Sequence, residues 1–183
     1  MSSTLQRVRF TATEYTRMAS ILAGRRTELI DGEIIEMAPI GTAYLLVVTH
    51  LAVQLQALHA QMRLLLQQPL IVDEFDEPQP DLIVLRESLG HRKPRVEDCL
   101  LVVEVSDSTY TTDVAIKLPA YLAAGAPAVW IVNISNHADP VVENWAPGMR
   151  QPGLTRDTVS VAGINVSLAA VFDGPGEIPG EED

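Results

Sequence analysis

The residue with the clearest chemical potential is a glutamate inside an apolar run. Glu104 lies in the segment 100–105, whose other members are leucine and valine, a composition typical of a strand buried on both faces. A buried carboxylate without compensation would cost several kcal/mol, so Glu104 needs a cationic partner, a bound metal ion or a proton.

A second carboxylate, Asp81, opens another apolar segment directly after Pro80. Proline is tolerated at the first residue of a strand, so Asp81 is expected at the edge or mouth of a sheet. Two carboxylates on adjacent strands could share one hard divalent cation such as Mg²⁺. The alternative is a structural carboxylate that is bonded to backbone amides or paired with an arginine.

Lys117 is one of only two lysines among the 13 basic residues. A lysine in a chain that otherwise uses arginine suggests a compact point charge or a base with a movable pKa. Asp113, Lys117 and Tyr121 are four residues apart and share one face of a predicted helix. The competing interpretation is a surface pair of Asp113 and Lys117, with Tyr121 packing in the core.

The elements that must position these residues follow from local patterns. A capping box at Thr11–Glu14 predicts a helix over 12–23 that stops at Gly24, and Asp31-Gly32 predicts a β-hairpin. Apolar residues every three or four positions predict a long helix from Thr42 to Leu65. The remaining predictions are strands at 69–73, 81–85, 99–105, 127–134 and 140–146, two short strands within 158–168, and a helix over 109–124 kinked at Pro119. This order predicts an α/β domain with a mixed sheet.

Length and composition limit the possible classes of protein. A chain of 183 residues predicts one domain, at 1–172, followed by an acidic Gly/Pro-rich tail at 173–183 that is expected to be disordered. Cys99 is the only cysteine, which excludes intramolecular disulfides and cysteine-based zinc sites. The sequence lacks a signal-peptide core and any apolar run approaching ~18 residues, so a cytoplasmic protein without membrane contact is expected.

The net charge of −11 argues against nonspecific nucleic-acid binding. The imbalance is smaller in residues 1–172, which carry 19 acidic and 13 basic residues. A basic cluster at 91–95 could contact a phosphate backbone or could be a solvated loop, and His50 and His59 are interpreted as surface or core histidines.

The order of Asp81, Glu104 and Lys117 resembles the PD-(D/E)xK nuclease pattern. In its usual form the lysine stands two residues after the glutamate, where this chain has Ser106. The wider pattern resembles the Uma family of restriction endonucleases, in which the lysine lies on the following helix. The matching segments, within about 9–172, are 28–33, 37–39, 80–84, 101–109, 113–117, Tyr121 and 125–130.

This resemblance implies a restriction-endonuclease-like core, a mixed β-sheet flanked by helices, with an N-terminal helix and a β-hairpin. It also implies a divalent-metal-dependent endonuclease that hydrolyses DNA phosphodiester bonds. Asp81, Glu104 and the Val105 carbonyl would hold Mg²⁺ or Mn²⁺, and Lys117 would orient or activate a water. Glu28 would orient that water or merely cap the hairpin. Cleavage of both strands of a duplex would favour a homodimer.

One alternative is a catalytically inactive nuclease-like domain that serves as a binding or assembly module. The acidic charge and the sparse basic residues favour it. So does Tyr44, which stands where the family often has a histidine at the start of the long helix. A glycosidase with paired carboxylates is a weaker alternative, because it gives Lys117 no role.

Overall fold

A mixed sheet of six strands forms the centre of the computed structural model, which describes residues 7–58, 63–161 and 164–172. Its strand order is β3-β4-β5-β6-β7-β8. Only β5 and β6 run parallel, and every other neighbouring pair is antiparallel. The strands are β3 (Arg63–Leu66), β4 (Leu82–Leu85), β5 (Cys99–Ser106), β6 (Val129–Asn133), β7 (Val141–Trp145) and β8 (Gly153–Thr155).

Both faces of the sheet are covered, which explains the near-continuous apolar character of its central strands. Helix α2 (Thr42–Leu58) packs on one face with the hairpin of β9 (Thr158–Val161) and β10 (Ile164–Ser167) and the short helix α5 (Leu168–Phe172). The other face packs against a helical stretch over 110–123. Alternate residues of β4 serve the two faces, with Leu82 and Val84 in the first core and Ile83 and Leu85 in the second.

The helical stretch over 110–123 is not a regular α-helix, because its middle part has the hydrogen-bond spacing of a π-helix. It consists of α3 (Tyr110–Thr112), a π-turn (Asp113–Lys117) and α4 (Leu118–Ala123). The Leu118 N–H donates to the Asp113 carbonyl, five residues back. Pro119 then stands in the first turn of α4, where its missing N–H is tolerated. The irregularity predicted at Pro119 therefore takes the form of a π-turn immediately before it.

The N-terminal hairpin is confirmed and docks on the loop before β4. Strand β1 (Thr27–Ile30) pairs with β2 (Glu33–Glu36) around Asp31 and Gly32, whose φ values are +49° and +74°. A side chain on Gly32 would also collide with Arg9, since an added Cβ would lie 2.6 Å from the Arg9 Cβ. Leu29 and Glu77 exchange backbone hydrogen bonds of 3.2 and 2.9 Å. This bridge fixes the direction in which the neighbouring Glu28 points.

Three predicted elements differ in extent. Helix α1 spans only Ala12–Arg17, although its capping box forms as predicted. It buries no side chain, so little packing is available to extend it. The long helix ends its described part at Leu58, and Leu65 belongs to β3 instead. The Arg-Leu-Leu-Leu run of β3 fits a helical and an extended pattern equally well.

The strand predicted at 69–73 is wrong, because only an isolated bridge between Ile71 and Arg95 forms there. Pro69 cannot donate to a ladder, and the edge of the sheet is filled by β3. Strand β8 and helix α5 were not predicted. The predicted tail at 173–183 and His59 lie outside the described residues. None of the described helices is both long and apolar enough to cross a membrane.

Candidate active site

A cavity of about 210 Å³ opens between the hairpin, the loop 37–41 and the start of the helical stretch. Its polar lining comes from separate elements of the fold. Glu28 comes from β1, Asp81 from the residue before β4, Glu104 from β5, and Asp113 and Lys117 from the π-turn. All five side chains are buried.

The Lys117 ammonium lies among three carboxylates. Its Nζ is 3.0 Å from Glu28 Oε1, 3.3 Å from Asp113 Oδ1 and 3.5 Å from Glu104 Oε1. Glu28 is the best-aligned acceptor, since it takes a hydrogen bond from Lys117 and a second one of 3.0 Å from the Gln79 backbone N–H. Glu28 therefore does more than cap its hairpin. The alternative of a surface pair between Asp113 and Lys117 is wrong, because both are buried.

Asp81 is fixed through both of its carboxylate oxygens. The Val105 N–H donates to Oδ2 at 2.6 Å, and the Tyr44 hydroxyl donates to Oδ1. The Gln67 side chain in turn donates to the Tyr44 oxygen at 3.0 Å, and the Gln67 backbone N–H donates to the Asp81 carbonyl at 3.0 Å. Gln67 adopts a φ of +48°, which is uncommon for a residue other than glycine.

Glu104 and Asp113 are each held by hydroxyl donors. The Tyr121 hydroxyl donates to Glu104 Oε1 at 2.6 Å. Ser106 and Thr109 donate to Asp113 Oδ2 at 2.8 and 2.6 Å. Asp113 Oδ1 lies within ion-pair distance of Lys117 but makes no hydrogen bond of acceptable geometry. One buried acceptor of the cluster is thus unsatisfied.

Burial dominates the electrostatics of the carboxylates. Burial raises the pKa of Asp81 to about 6, although the hydrogen bonds from Tyr44 and Val105 and the charge of Lys117 act in the opposite direction. Burial likewise raises the pKa of Glu104 well above its ordinary value, and the positive charge of Lys117 offsets this only in part. Four buried carboxyl groups share the cavity with one ammonium, and neighbouring acidic groups add to the effect of burial on the pKa values of Asp81 and Glu104.

Lys117 itself stays protonated. Burial alone would lower its pKa, but the negative charges of Glu104, Glu28 and Asp113 outweigh burial and raise the pKa above the ordinary value. Of the two roles that the sequence left open for this lysine, the electrostatics favour the point charge over the base.

The excess of buried oxygen donors fits a hard divalent cation. Among the described residues, no group of three or more histidine, cysteine, aspartate or glutamate side chains has the arrangement of a metal-binding cluster. Mg²⁺ does not require one, since it usually binds through one or two carboxylates and keeps several waters. Asp81, Glu104 and Val105 all line the cavity, and the two carboxyl groups and the Val105 carbonyl are oxygen ligands of this type.

Several site residues lacked a local signal in the sequence. Tyr44 is 37 residues from Asp81 and Gln67 is 23 residues from Tyr44, so their contacts depend on the tertiary fold. Tyr121 was assigned to the core by one interpretation, and its ring does pack there while its hydroxyl reaches Glu104. The i, i+4 spacing indicated the proximity of Asp113 and Lys117 but not their burial.

The basic cluster at 91–95 does not join the site. Arg92 forms a two-pronged ion pair with Asp98, with distances of 2.6 and 2.7 Å, and Lys93 Nζ lies 2.5 Å from Glu77. The charges of Arg92 and Lys93 are therefore paired with carboxylates of the protein itself.

His50 also lies outside the site, where its ring forms a hydrogen bond of 2.9 Å with the Val171 carbonyl.

Comparison with solved structures gives the class of this fold. The chain is similar to "a putative nuclease belonging to DUF820 from Anabaena variabilis ATCC 29413", with a TM-score of 0.63 and 14% sequence identity. The match covers 81% of this chain and 90% of the other. At this identity the likeness establishes a common fold, which confirms the predicted mixed sheet flanked by helices.

The chain belongs to the Uma2 family, described as "Putative restriction endonuclease", whose model matches residues 12–161. The predicted resemblance is therefore confirmed, and the matched region contains every residue of the candidate site. Families of the restriction-endonuclease-like class generally use divalent metal ions. Comparison with curated proteins gives no match.

Proposed function

We propose that this protein is a divalent-metal-dependent endonuclease that hydrolyses DNA phosphodiester bonds. One observation carries the proposal: a nuclease-type fold gathers four buried carboxyl groups in one cavity, and three of them, Glu28, Asp113 and Glu104, lie within 3.5 Å of a single ammonium. Such a cluster is under-compensated by positive charge. A bound dication would supply the missing positive charge, and it would also attract the phosphate group of the substrate.

Asp81, Glu104 and the Val105 carbonyl are the groups that would hold Mg²⁺ or Mn²⁺. When bound, either ion supplies Lewis-acid polarisation of a phosphoryl oxygen and lowers the pKa of a water. The contacts of Tyr44 and the Val105 N–H support this assignment, because they orient the Asp81 carboxylate before any ion arrives.

Lys117 would stabilise the negative charge that develops on the phosphate oxygens. Its ammonium is already dehydrated and held in place by Glu28 and Asp113, so little reorganisation is needed during the reaction. A protonated lysine can donate a hydrogen bond to a phosphate oxygen or to the attacking water. It cannot remove a proton from that water, so Lys117 is assigned as an electrostatic and orienting group.

Tyr44 stands where a histidine is frequent in the family, and its contacts are compatible with an active site. Its hydroxyl donates to Asp81, which is the same service that an imidazole N–H could give. Loss of the histidine therefore leaves no unsatisfied carboxylate oxygen at this position. The departure that favoured an inactive module loses much of its weight.

The decisive experiment incubates the protein with supercoiled plasmid and with circular single-stranded phage DNA. We expect cleavage in Mg²⁺ or Mn²⁺ that disappears with EDTA and in the variant Asp81→Ala. The rival inactive module predicts no cleavage of either DNA above the level of Asp81→Ala.

Binding of Mn²⁺, measured by titration calorimetry, adds an independent readout. We expect binding by the wild type and its loss in Glu104→Ala. Circular dichroism of each variant confirms that the fold is intact. Absence of Mn²⁺ binding in the wild type would contradict the proposed function.

A further inference from the structure

We propose that the site binds unpaired, single-stranded DNA, with one nucleotide of the strand entering the cavity. Arg26 would bind the phosphate of that nucleotide at the mouth of the cavity. This inference rests on the proposed function and specifies its substrate. Its support comes from the depth of the reacting groups, the character of the rim and the distribution of free positive charge.

The reacting groups lie too deep for the surface of an intact duplex. Asp81, Glu104 and Lys117 are only 4%, 2% and 6% exposed, and the cavity above them measures about 210 Å³. That volume corresponds to about seven waters. A duplex is a stiff cylinder that cannot enter a cavity of this volume, whereas a single strand is flexible and can present one phosphate at a time. Enzymes that act on a base meet the same constraint, and they use single-stranded DNA or extrude the nucleotide from the helix.

The rim of the cavity has the character expected for contact with bases. Ile35 and Ile40 are 44% and 40% exposed, and they line the cavity together with the partly buried Met37. Stacked bases of a duplex hide their faces, but an unpaired base offers an apolar face to such side chains. Bulky apolar groups give no favourable contact to the phosphates on the outside of a duplex.

Positive charge is scarce around the mouth. Among the residues that the structure describes, two basic ones line the cavity, Arg26 and Lys117. Two less buried acidic side chains, Glu36 and Asp107, line it in addition to the four buried carboxyl groups. A duplex carries about one negative charge per 1.7 Å of its axis, and a single strand about one per 3.4 Å. The duplex would therefore meet about twice the repulsion from the same acidic rim.

Arg26 lines the cavity and is available there as a cation. Its guanidinium donates to the Ala38 carbonyl at 3.3 Å, and within the described part of the chain it has no carboxylate partner. The adjacent Arg25 differs, because it is more exposed, pairs with Glu36 at 3.7 Å and does not line the cavity. Arg26 can therefore form a two-pronged contact to a phosphate that approaches Lys117 from outside.

The first test uses one labelled DNA of about 30 nucleotides. Its rate of cleavage in Mn²⁺ is compared between the single strand and a blunt duplex at equal concentration. We expect the single strand to be cut at least about tenfold faster. Equal rates, or faster cutting of the duplex, would overturn the inference while leaving the proposed endonuclease in place.

The second test measures binding of the same two DNAs by fluorescence anisotropy in EDTA, and so does not require activity. We expect tighter binding of the single strand. Arg26→Ala should weaken it about tenfold, as for loss of one charge-assisted contact, and the matched control Arg25→Ala less than about twofold. Equal affinities for the two DNAs, or equal effects of the two variants, would refute the inference. If neither DNA is cut, the proposed function fails, and this binding experiment still decides whether the site prefers a single strand.

Discussion

Replacement of Lys117 by methionine would test whether this ammonium compensates the carboxylate cluster. Methionine has a similar length and no charge, so the variant leaves the packing nearly unchanged. It also leaves Glu28, Glu104 and Asp113 without the cation that now lies 3.0 to 3.5 Å from each of them. Removing one partner of a buried ion pair typically destabilises a protein by about 3–5 kcal/mol.

The same magnitude follows from the geometry. At a separation of 3.3 Å and an effective dielectric constant of about 20, each ion pair is worth about 5 kcal/mol. The sum of the three attractions is larger than the expected loss of stability. The difference arises because burying the ammonium in the folded protein costs hydration free energy, which the methionine variant does not pay. For a chain of this length, about 3–5 kcal/mol corresponds to a fall in Tm of roughly 6–20 °C.

The assay is thermal unfolding in EDTA at pH 7.5, followed by circular dichroism. Lys117→Arg keeps the charge and should lose much less stability. Lys93→Met is the matched control, because Lys93 is the other lysine and contacts a single buried carboxylate, Glu77, from a partly exposed position. At pH 5.5 the deficit of Lys117→Met should shrink, since carboxyl groups with raised pKa values then take up protons. A fall of less than about 1 kcal/mol at pH 7.5 would refute this account of the site.

Three further predictions concern the ligands, the pH dependence and the assembly. Tyr44→Phe removes the hydroxyl that orients Asp81 and should weaken Mn²⁺ binding about 10- to 100-fold by calorimetry; an unchanged affinity would show that the contact does not position the carboxylate. The pKa of Asp81 is raised from 3.8 to about 6, so the folded state retains a proton that the unfolded state loses between these values. Ionisation of Asp81 should therefore cost about 3 kcal/mol by neutral pH, and in urea unfolding without metal the wild type should lose stability relative to Asp81→Asn as the pH rises from 4 to 7. The reverse trend would contradict the buried carboxylate. Homodimerisation stays a prediction that depends on cleavage of duplex DNA, and light scattering should then give about 40 kDa; a species of 20.0 kDa at all working concentrations would contradict it.

The parts of the fold that were predictable from sequence carry their information locally. Asp31-Gly32 defines a turn with two positive φ angles wherever it occurs. The position of Glu104 within an apolar strand indicated a buried charge, and the structure buries it. The order of Asp81, Glu104 and Lys117 then identified the three elements that meet at the cavity.

The parts that were not predictable depend on contacts between distant residues. Leu65 continues the helical pattern of α2, yet pairing with Ile83 of β4 places it in an edge strand. Tyr44 and Gln67 gain their roles only when α2 and the end of β3 approach Asp81. A single sequence contains no periodicity that reports such a contact, because the separations reflect the path of the chain.

The π-turn at Asp113–Lys117 holds one residue more than a regular helical turn would need to bring its two charged ends together. A five-residue step holds one residue more than an α-helical step, and Ala115 and Ile116 occupy the exposed side of this wider loop of backbone. Deletion of Ala115 would let the helix close to regular spacing. Asp113 and Lys117 would then stand three residues apart, about one turn of an α-helix, and would still share one face. The extra residue of the π-turn therefore lies on the solvent side, and the chain could lose it there with every polar residue of the site retained.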